Sequence, residues 1–131
     1  MIDSLPLLAA ALTGFIVGAI LGSFVTALSY RLPRGISIVA PRSSCPSCHA
    51  VLGARDLVPI GSYLANKGKC RHCGARISPR YPTIELAVAL SCALAFTILW
   101  GNWFILPVVV IMIVGAATDM TMRLEKKGSH D

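Results

Sequence analysis

Two long uncharged and mostly apolar segments flank a polar middle segment in this chain. Residues 5–30 contain no charged residue, and neither do residues 86–118. A helix needs about 20 apolar residues to cross the hydrocarbon core of a bilayer, so residues 1–30 predict one membrane span. The second segment is interrupted by Gly101-Asn102 and predicts a helical hairpin over residues 83–119. The pattern therefore predicts an all-α integral membrane protein with about three transmembrane helices.

Positively charged residues cluster between the first two predicted spans. Nine of the twelve Lys and Arg residues lie between Arg31 and Arg80, and the other three lie after residue 119. Cytoplasmic segments of membrane proteins are enriched in Lys and Arg, which favours three spans, because three spans place both groups on one side. We expect the N-terminus outside, with the loop of residues 31–82 and the polar tail of residues 120–131 in the cytoplasm. The net charge of +6 is interpreted as topology rather than as a nucleic-acid site.

The first predicted span carries glycines at regular intervals. Gly14, Gly18 and Gly22 are four residues apart, so they lie along one face of a helix. Small residues at this spacing allow the backbones of two membrane helices to approach closely. We expect this face to pack against a neighbouring span.

Four cysteines form two close pairs within the polar loop. Cys45 and Cys48 form the first pair, Cys70 and Cys73 form the second, and 21 residues separate the pairs. This spacing is typical of a tetrahedral zinc site with four thiolate ligands. Two disulfides and a redox-active pair are the alternatives, but a cytosolic loop disfavours disulfides. A four-thiolate site leaves no position for water, so we expect a structural zinc that stabilises a loop with few apolar side chains.

Ordered sequence blocks surround the cysteine pairs. These blocks are Gly22-Ser-Phe24, Arg31-Leu-Pro33, the segments 41–48, 56–59, 62–64, 67–74 and 77–82, and Glu85-Leu86. From about residue 14 to residue 90, the chain resembles the N-terminal domain of type 4 prepilin peptidases. The resemblance implies the same architecture that the apolar pattern predicts, with a zinc-stapled, loop-rich cytosolic insertion between helices 1 and 2.

The resemblance also implies a function. It implies a protein of the bacterial inner membrane that serves type IV pilus assembly or type II secretion by cleaving the leader peptides of prepilins or pseudopilins. Many members of this family also methylate the new N-terminal residue, with S-adenosylmethionine as the cofactor. The implied partners are the lipid bilayer and prepilin-like substrates, and no nucleic acid is expected.

Members of this family cleave peptides with two aspartates. Asp119, at the end of the third predicted span, is the candidate for the first aspartate. The second aspartate belongs to a Gly-x-Gly-Asp block that this sequence does not contain. The resemblance therefore implies the N-terminal half of the enzyme, which would need a partner chain carrying the missing helices. A non-catalytic, zinc-binding membrane module that binds prepilins or secretion proteins is the alternative.

Overall fold

The protein, seen here as a computed structural model that describes residues 4–40, 42–99, 102 and 105–128, is mostly helical. The helices are α1 (Ser4–Arg31), α2 (Gly61–Ala65), α3 (Arg80–Ile98) and α4 (Ile105–Gly128). Two single 3-10 turns cover Leu32–Arg34 and Ala54–Leu57. Within the described residues there is no strand, only two isolated antiparallel bridges in the cysteine loop.

Three of these helices are long and apolar enough to cross a membrane. The candidate spans are Pro6–Arg34, Arg80–Ile98 and Pro107–Leu124. At about 1.5 Å per residue, the 28 residues of α1 rise about 42 Å, which exceeds the apolar thickness of a bilayer. The structure thus confirms the predicted all-α membrane architecture, with the cysteine cluster between the first and second spans.

The third long helix extends further than the apolar pattern indicates. The pattern ends at residue 119, whereas α4 continues through Gly128. Most residues between 120 and 127, such as Met, Arg, Leu, Glu and Lys, favour helix. An ion pair at 2.8 Å between Asp119 and Arg123 also joins two successive turns. The segment that the sequence analysis treats as a polar tail is therefore helical as far as Gly128.

Helices α1 and α3 pack along the three glycines of α1. A Cβ atom placed at Gly18 would lie 2.7 Å from the Cα atom of Ala89 and 2.7 Å from Cβ of Cys92. A Cβ atom at Gly22 would lie 2.8 Å from the Cα atom of Glu85. These distances are too short for any side chain, so the glycines allow the two backbones to touch. The packing face expected from the glycine spacing is the α1–α3 interface.

The outer faces of the long helices are apolar and exposed. Large side chains on these faces, between 55% and 70% exposed, include Leu12, Ile16, Ile20, Leu90, Leu94, Ile98, Ile111 and Met112. In water such a surface would be costly, whereas hydrocarbon lipid chains solvate it at no cost. Of the three spans, Pro107–Leu124 is the least enclosed, with 6% of it buried.

Helix α4 contacts the bundle at the end where the cysteine loop is inserted. Thr121 of α4 is buried, and it lines a cavity of about 90 Å³ together with Thr26 and Ser29 of α1 and Ser78. The hydroxyl of Ser29 donates to the carbonyl of Val25 at 2.9 Å, so this polar atom is satisfied within its own helix. The loop and the C-terminal part of α4 therefore lie at the same end of the helices.

Candidate metal centre

The two cysteine pairs lie on two turns with the same backbone hydrogen bonds. In the first turn the amide of Cys45 donates to the carbonyl of Ala50 at 3.0 Å, and in the second the amide of Cys70 donates to the carbonyl of Ala75 at 2.8 Å. An isolated bridge closes each turn. Each turn directs its two cysteines to the same side, which is the local geometry that a pair of metal ligands requires.

The residue after the second cysteine of each pair adopts a left-handed conformation. Gly74 has a φ angle of 73°, and His49, at the equivalent position of the first turn, has a φ angle of 56°. A side chain is disfavoured in this region, so the turn geometry requires the conformation at some cost at His49. The shared left-handed conformation supports the interpretation of the two turns as one repeated unit.

The structure brings the four paired cysteines together. Their sulfur atoms all lie within 4.8 Å of one another, and the sulfurs of Cys45 and Cys73 are 3.8 Å apart. A tetrahedral site with metal–sulfur bonds of about 2.3 Å has sulfur–sulfur separations of about 3.8 Å. All five cysteines of the chain are described, and all carry free thiols, so the geometry fits a metal ion rather than disulfides. The fifth, Cys92, is buried in the α1–α3 interface.

Two of the four thiols, those of Cys45 and Cys73, differ strongly in their pKa. Donation from the backbone amides of Cys48 and Ser47, aided by neighbouring thiols, lowers the pKa of Cys45 to about 6 against the opposing effect of desolvation. The amide of Ala75 acts in the same direction on Cys73, but desolvation and the three neighbouring thiols outweigh it and raise the pKa of Cys73 to about 11. Four thiolates this close repel one another, so a bound cation is what would allow all of them to ionise.

Charged residues around the turns fix the loop to itself and to α1. The guanidinium of Arg31, at the end of α1, donates to the carbonyls of Ser37 and Ile38, both at 2.9 Å. Asp56 accepts from the amide of Gly53 at 3.0 Å and pairs with Arg71 of the second cysteine turn at 3.2 Å. Asp56 therefore stabilises the turn at Gly53 and links it to the second cysteine turn.

Glu85 connects the loop to α3. This residue is buried, and its carboxylate accepts from the backbone amide of Ile60 at 2.7 Å and from the hydroxyl of Ser23. Ile60 has a φ angle of 59°, a rare conformation for a β-branched residue. Sequence reasoning does not find this role, although an acidic residue near the start of an apolar span is a signal for a buried polar partner.

Replacing Glu85 with alanine is expected to loosen the loop around Ile60. Losing a charge-assisted hydrogen bond to a partly buried amide costs about 1–3 kcal/mol. Hydrogen exchange at the Ile60 amide should therefore become faster in E85A. In the control E85Q, the side-chain carbonyl still accepts from Ile60, so protection should be largely retained. Equal protection in the wild type and E85A would contradict the role assigned to this carboxylate.

Asp119 lies on the exposed side of α4, apart from the cysteine cluster. Its side chain is 64% exposed and pairs with Arg123 one turn later. It does not belong to the cysteine group, which is the one potential metal-binding cluster found among the described residues.

Comparison with known proteins relates this arrangement to one family. Residues 16–99 match the family model described as the bacterial peptidase A24 N-terminal domain. The chain is 44% identical to the prepilin leader peptidase/N-methyltransferase of Bacillus subtilis over 113 residues, which cover 84% of this chain and 46% of the relative. It is 43% identical over 93 residues to the protein of the same name from Vibrio cholerae, covering 65% of this chain and 36% of the relative.

A third relative carries a different name. The type 4 prepilin-like proteins leader peptide-processing enzyme of Escherichia coli is 38% identical over 101 residues, covering 63% of this chain and 37% of the relative. The chain thus spans less than half the length of these relatives, and no solved structure matches it. Three apolar helices and these relatives fit a bacterial inner-membrane protein. The matched family model and the relatives together identify this chain as a member of the prepilin peptidase family that corresponds to its N-terminal part.

Proposed function

We propose that this chain is the membrane-anchored, zinc-stapled part of an enzyme that processes prepilin-like proteins. The observation that carries the proposal is the cluster of four thiols within 4.8 Å, positioned beside the α1–α3 hairpin in a chain of this family. Cys45, Cys48, Cys70 and Cys73 would be the ligands, and the residues 31–82 that contain them would fold as one unit. A bound zinc would supply structural stability, because four thiolates complete its coordination.

The proposed topology places the loop and the C-terminus in the cytoplasm and the N-terminus outside. Thr121 of α4 and Ser78 of the loop line the same small cavity, which supports a common side for both. All twelve Lys and Arg residues then lie on that side, in accord with the positive-inside rule.

The proposed catalytic role is peptide cleavage with Asp119 as one of two carboxylates. One carboxylate would activate a water molecule and the other would donate a proton. The second carboxylate would come from a Gly-x-Gly-Asp helix outside this sequence, for instance in a partner chain. Of the span Pro107–Leu124 in α4, 6% is buried. The exposed surface of α4 therefore offers room for such helices. The relatives' names include N-methyltransferase, and S-adenosylmethionine would be the methyl donor for such an activity.

Two substitutions in one ion pair separate catalysis from structure at Asp119. In membranes that contain this chain and a partner with the Gly-x-Gly-Asp helices, D119N is expected to abolish leader cleavage of a prepilin. R123Q breaks the same ion pair but keeps the carboxylate, so its activity should stay near that of the wild type. An exposed helical ion pair contributes about 0.3–0.5 kcal/mol, so neither variant should unfold. Cleavage by D119N at the wild-type rate would contradict the catalytic role.

A non-catalytic module that holds prepilins or secretion proteins at the membrane is the second candidate. The exposure of Asp119 and its pairing with Arg123 favour this candidate, because a solvated ion pair needs no catalytic explanation. Under this alternative, D119N and R123Q would behave alike, while loss of a cysteine would abolish prepilin binding.

A further inference from the structure

A large cavity separates the cysteine turns from the helices. Its volume is about 540 Å³, and its lining includes Tyr30 from the end of α1 and Tyr81 from the start of α3. Both helices are candidate membrane spans, so the cavity lies where two spans leave the apolar layer. Tyrosine is enriched at this level of membrane proteins, where lipid headgroups meet the protein.

The lining of this cavity carries an excess of positive charge. Two acidic side chains line it, Asp56 and Glu85, and five basic ones do so, namely Arg31, Arg42, Lys69, Arg71 and Arg76. Asp56 is already paired with Arg71, and Glu85 accepts from the amide of Ile60. With the Asp56–Arg71 pair set aside, four cationic side chains line the cavity against the one carboxylate of Glu85, so the lining keeps a net positive charge.

Two of the basic residues lie side by side. Lys69 and Arg76 are partners in the antiparallel bridge that closes the second cysteine turn. Like charges directly opposite each other destabilise such a pair. The first turn forms the equivalent bridge with the uncharged pair Ser44 and Val51, so the turn itself does not require the two charges. An anion in the cavity would compensate the repulsion between Lys69 and Arg76.

We propose that this cavity binds the phosphate-bearing headgroup of an anionic phospholipid. Lys and Arg recognise phosphate through charge-assisted hydrogen bonds, and basic pockets between membrane helices bind such headgroups. The position of the cavity at the ends of two spans gives a lipid headgroup direct access. The bound headgroup would join the cysteine loop to the membrane surface. This role does not depend on whether the chain takes part in peptide cleavage.

The proposal is tested with the full-length chain in an uncharged detergent. Thermal unfolding is followed while short-chain phosphatidylglycerol, short-chain phosphatidylcholine or inorganic phosphate is added. Phosphatidylglycerol should raise the unfolding temperature and phosphatidylcholine should not. Each lipid-facing cation contributes a factor of about five to affinity, so the double variant K69Q/R76Q should bind phosphatidylglycerol about 25-fold more weakly.

Control variants separate the cavity from general charge. R55Q/K67Q removes two cations that do not line the cavity and should keep the wild-type affinity. K69R/R76K keeps both charges and should bind normally. Arg42 also lines the cavity but lies outside the cysteine pairs, so R42Q tests the proposal without depending on the folding of the second turn. R42Q should weaken binding about fivefold.

Three outcomes would overturn the proposal. The first is equal stabilisation by phosphatidylglycerol and phosphatidylcholine, and the second is equal loss of affinity in R55Q/K67Q and K69Q/R76Q. The third is an equal rise in unfolding temperature with inorganic phosphate and with phosphatidylglycerol at the same concentration. That result would assign the cavity to a free anion instead of a lipid.

Discussion

Replacing Cys45 with serine is expected to release the metal and unfold the cysteine loop while the three long helices remain formed. Structural zinc contributes on the order of 10 kcal/mol to the folding of small domains, and a hydroxyl is a poor substitute for a thiolate. The loop has little apolar core without the metal, because its buried residues include Cys45 and Cys70 themselves. In C45S, the metal content should fall from about one ion per chain, and proteases should cut the loop rapidly.

The matched control is Cys92→Ser. Cys92 is a buried thiol outside the cluster, so C92S should keep its metal and its resistance to proteases. Circular dichroism should report the same helix content in both variants, because α1 and α3 pack independently of the metal. A C45S protein with full metal content and a protease-resistant loop would contradict the assigned ligand set.

Replacing Gly18 with alanine is expected to separate α1 from α3. The added Cβ atom would lie 2.7 Å from the Cα atom of Ala89 and 2.8 Å from the carbonyl oxygen of Val88. Both are backbone atoms, so the helices must move apart to accept the methyl group. Overpacking of this kind costs about 1–3 kcal/mol, and thermal unfolding in detergent should show a clear decrease in stability.

Gly115 of α4 provides the control for this prediction. A Cβ atom at Gly115 would meet nothing within 4 Å among the described residues. Replacing a helical glycine with alanine normally favours the helix by about 0.5–1 kcal/mol, so G115A should unfold at the same or a higher temperature. The two substitutions are chemically identical, and opposite effects would therefore come from packing alone. A G18A protein as stable as the wild type would contradict the close contact of α1 and α3.

The features that could be predicted from the sequence depend on neighbours along the chain. A spacing of two residues between Cys45 and Cys48 predicts a turn that presents two metal ligands. The length of an apolar segment predicts a membrane-spanning helix. The glycines of α1 likewise predict a packing face, because the helical period is known.

The features that escaped sequence analysis depend on how distant segments meet. The hydrogen bond from Ile60 to Glu85 joins residues 25 positions apart and exists only because the loop folds back onto α3. The basic cavity arises in the same way, since its walls include parts of α1, α2 and α3 as well as both cysteine turns. The extension of α4 to Gly128 follows from helix propensity after the apolar pattern has ended.

The four-thiolate metal centre is tested most directly by zinc X-ray absorption spectroscopy on the purified full-length chain. The structure predicts about one zinc per chain with four sulfur ligands at about 2.3 Å, because its sulfur atoms already lie within 4.8 Å of one another. A metal-free chain with disulfides, or a zinc bound by nitrogen and oxygen ligands, would contradict a four-thiolate centre.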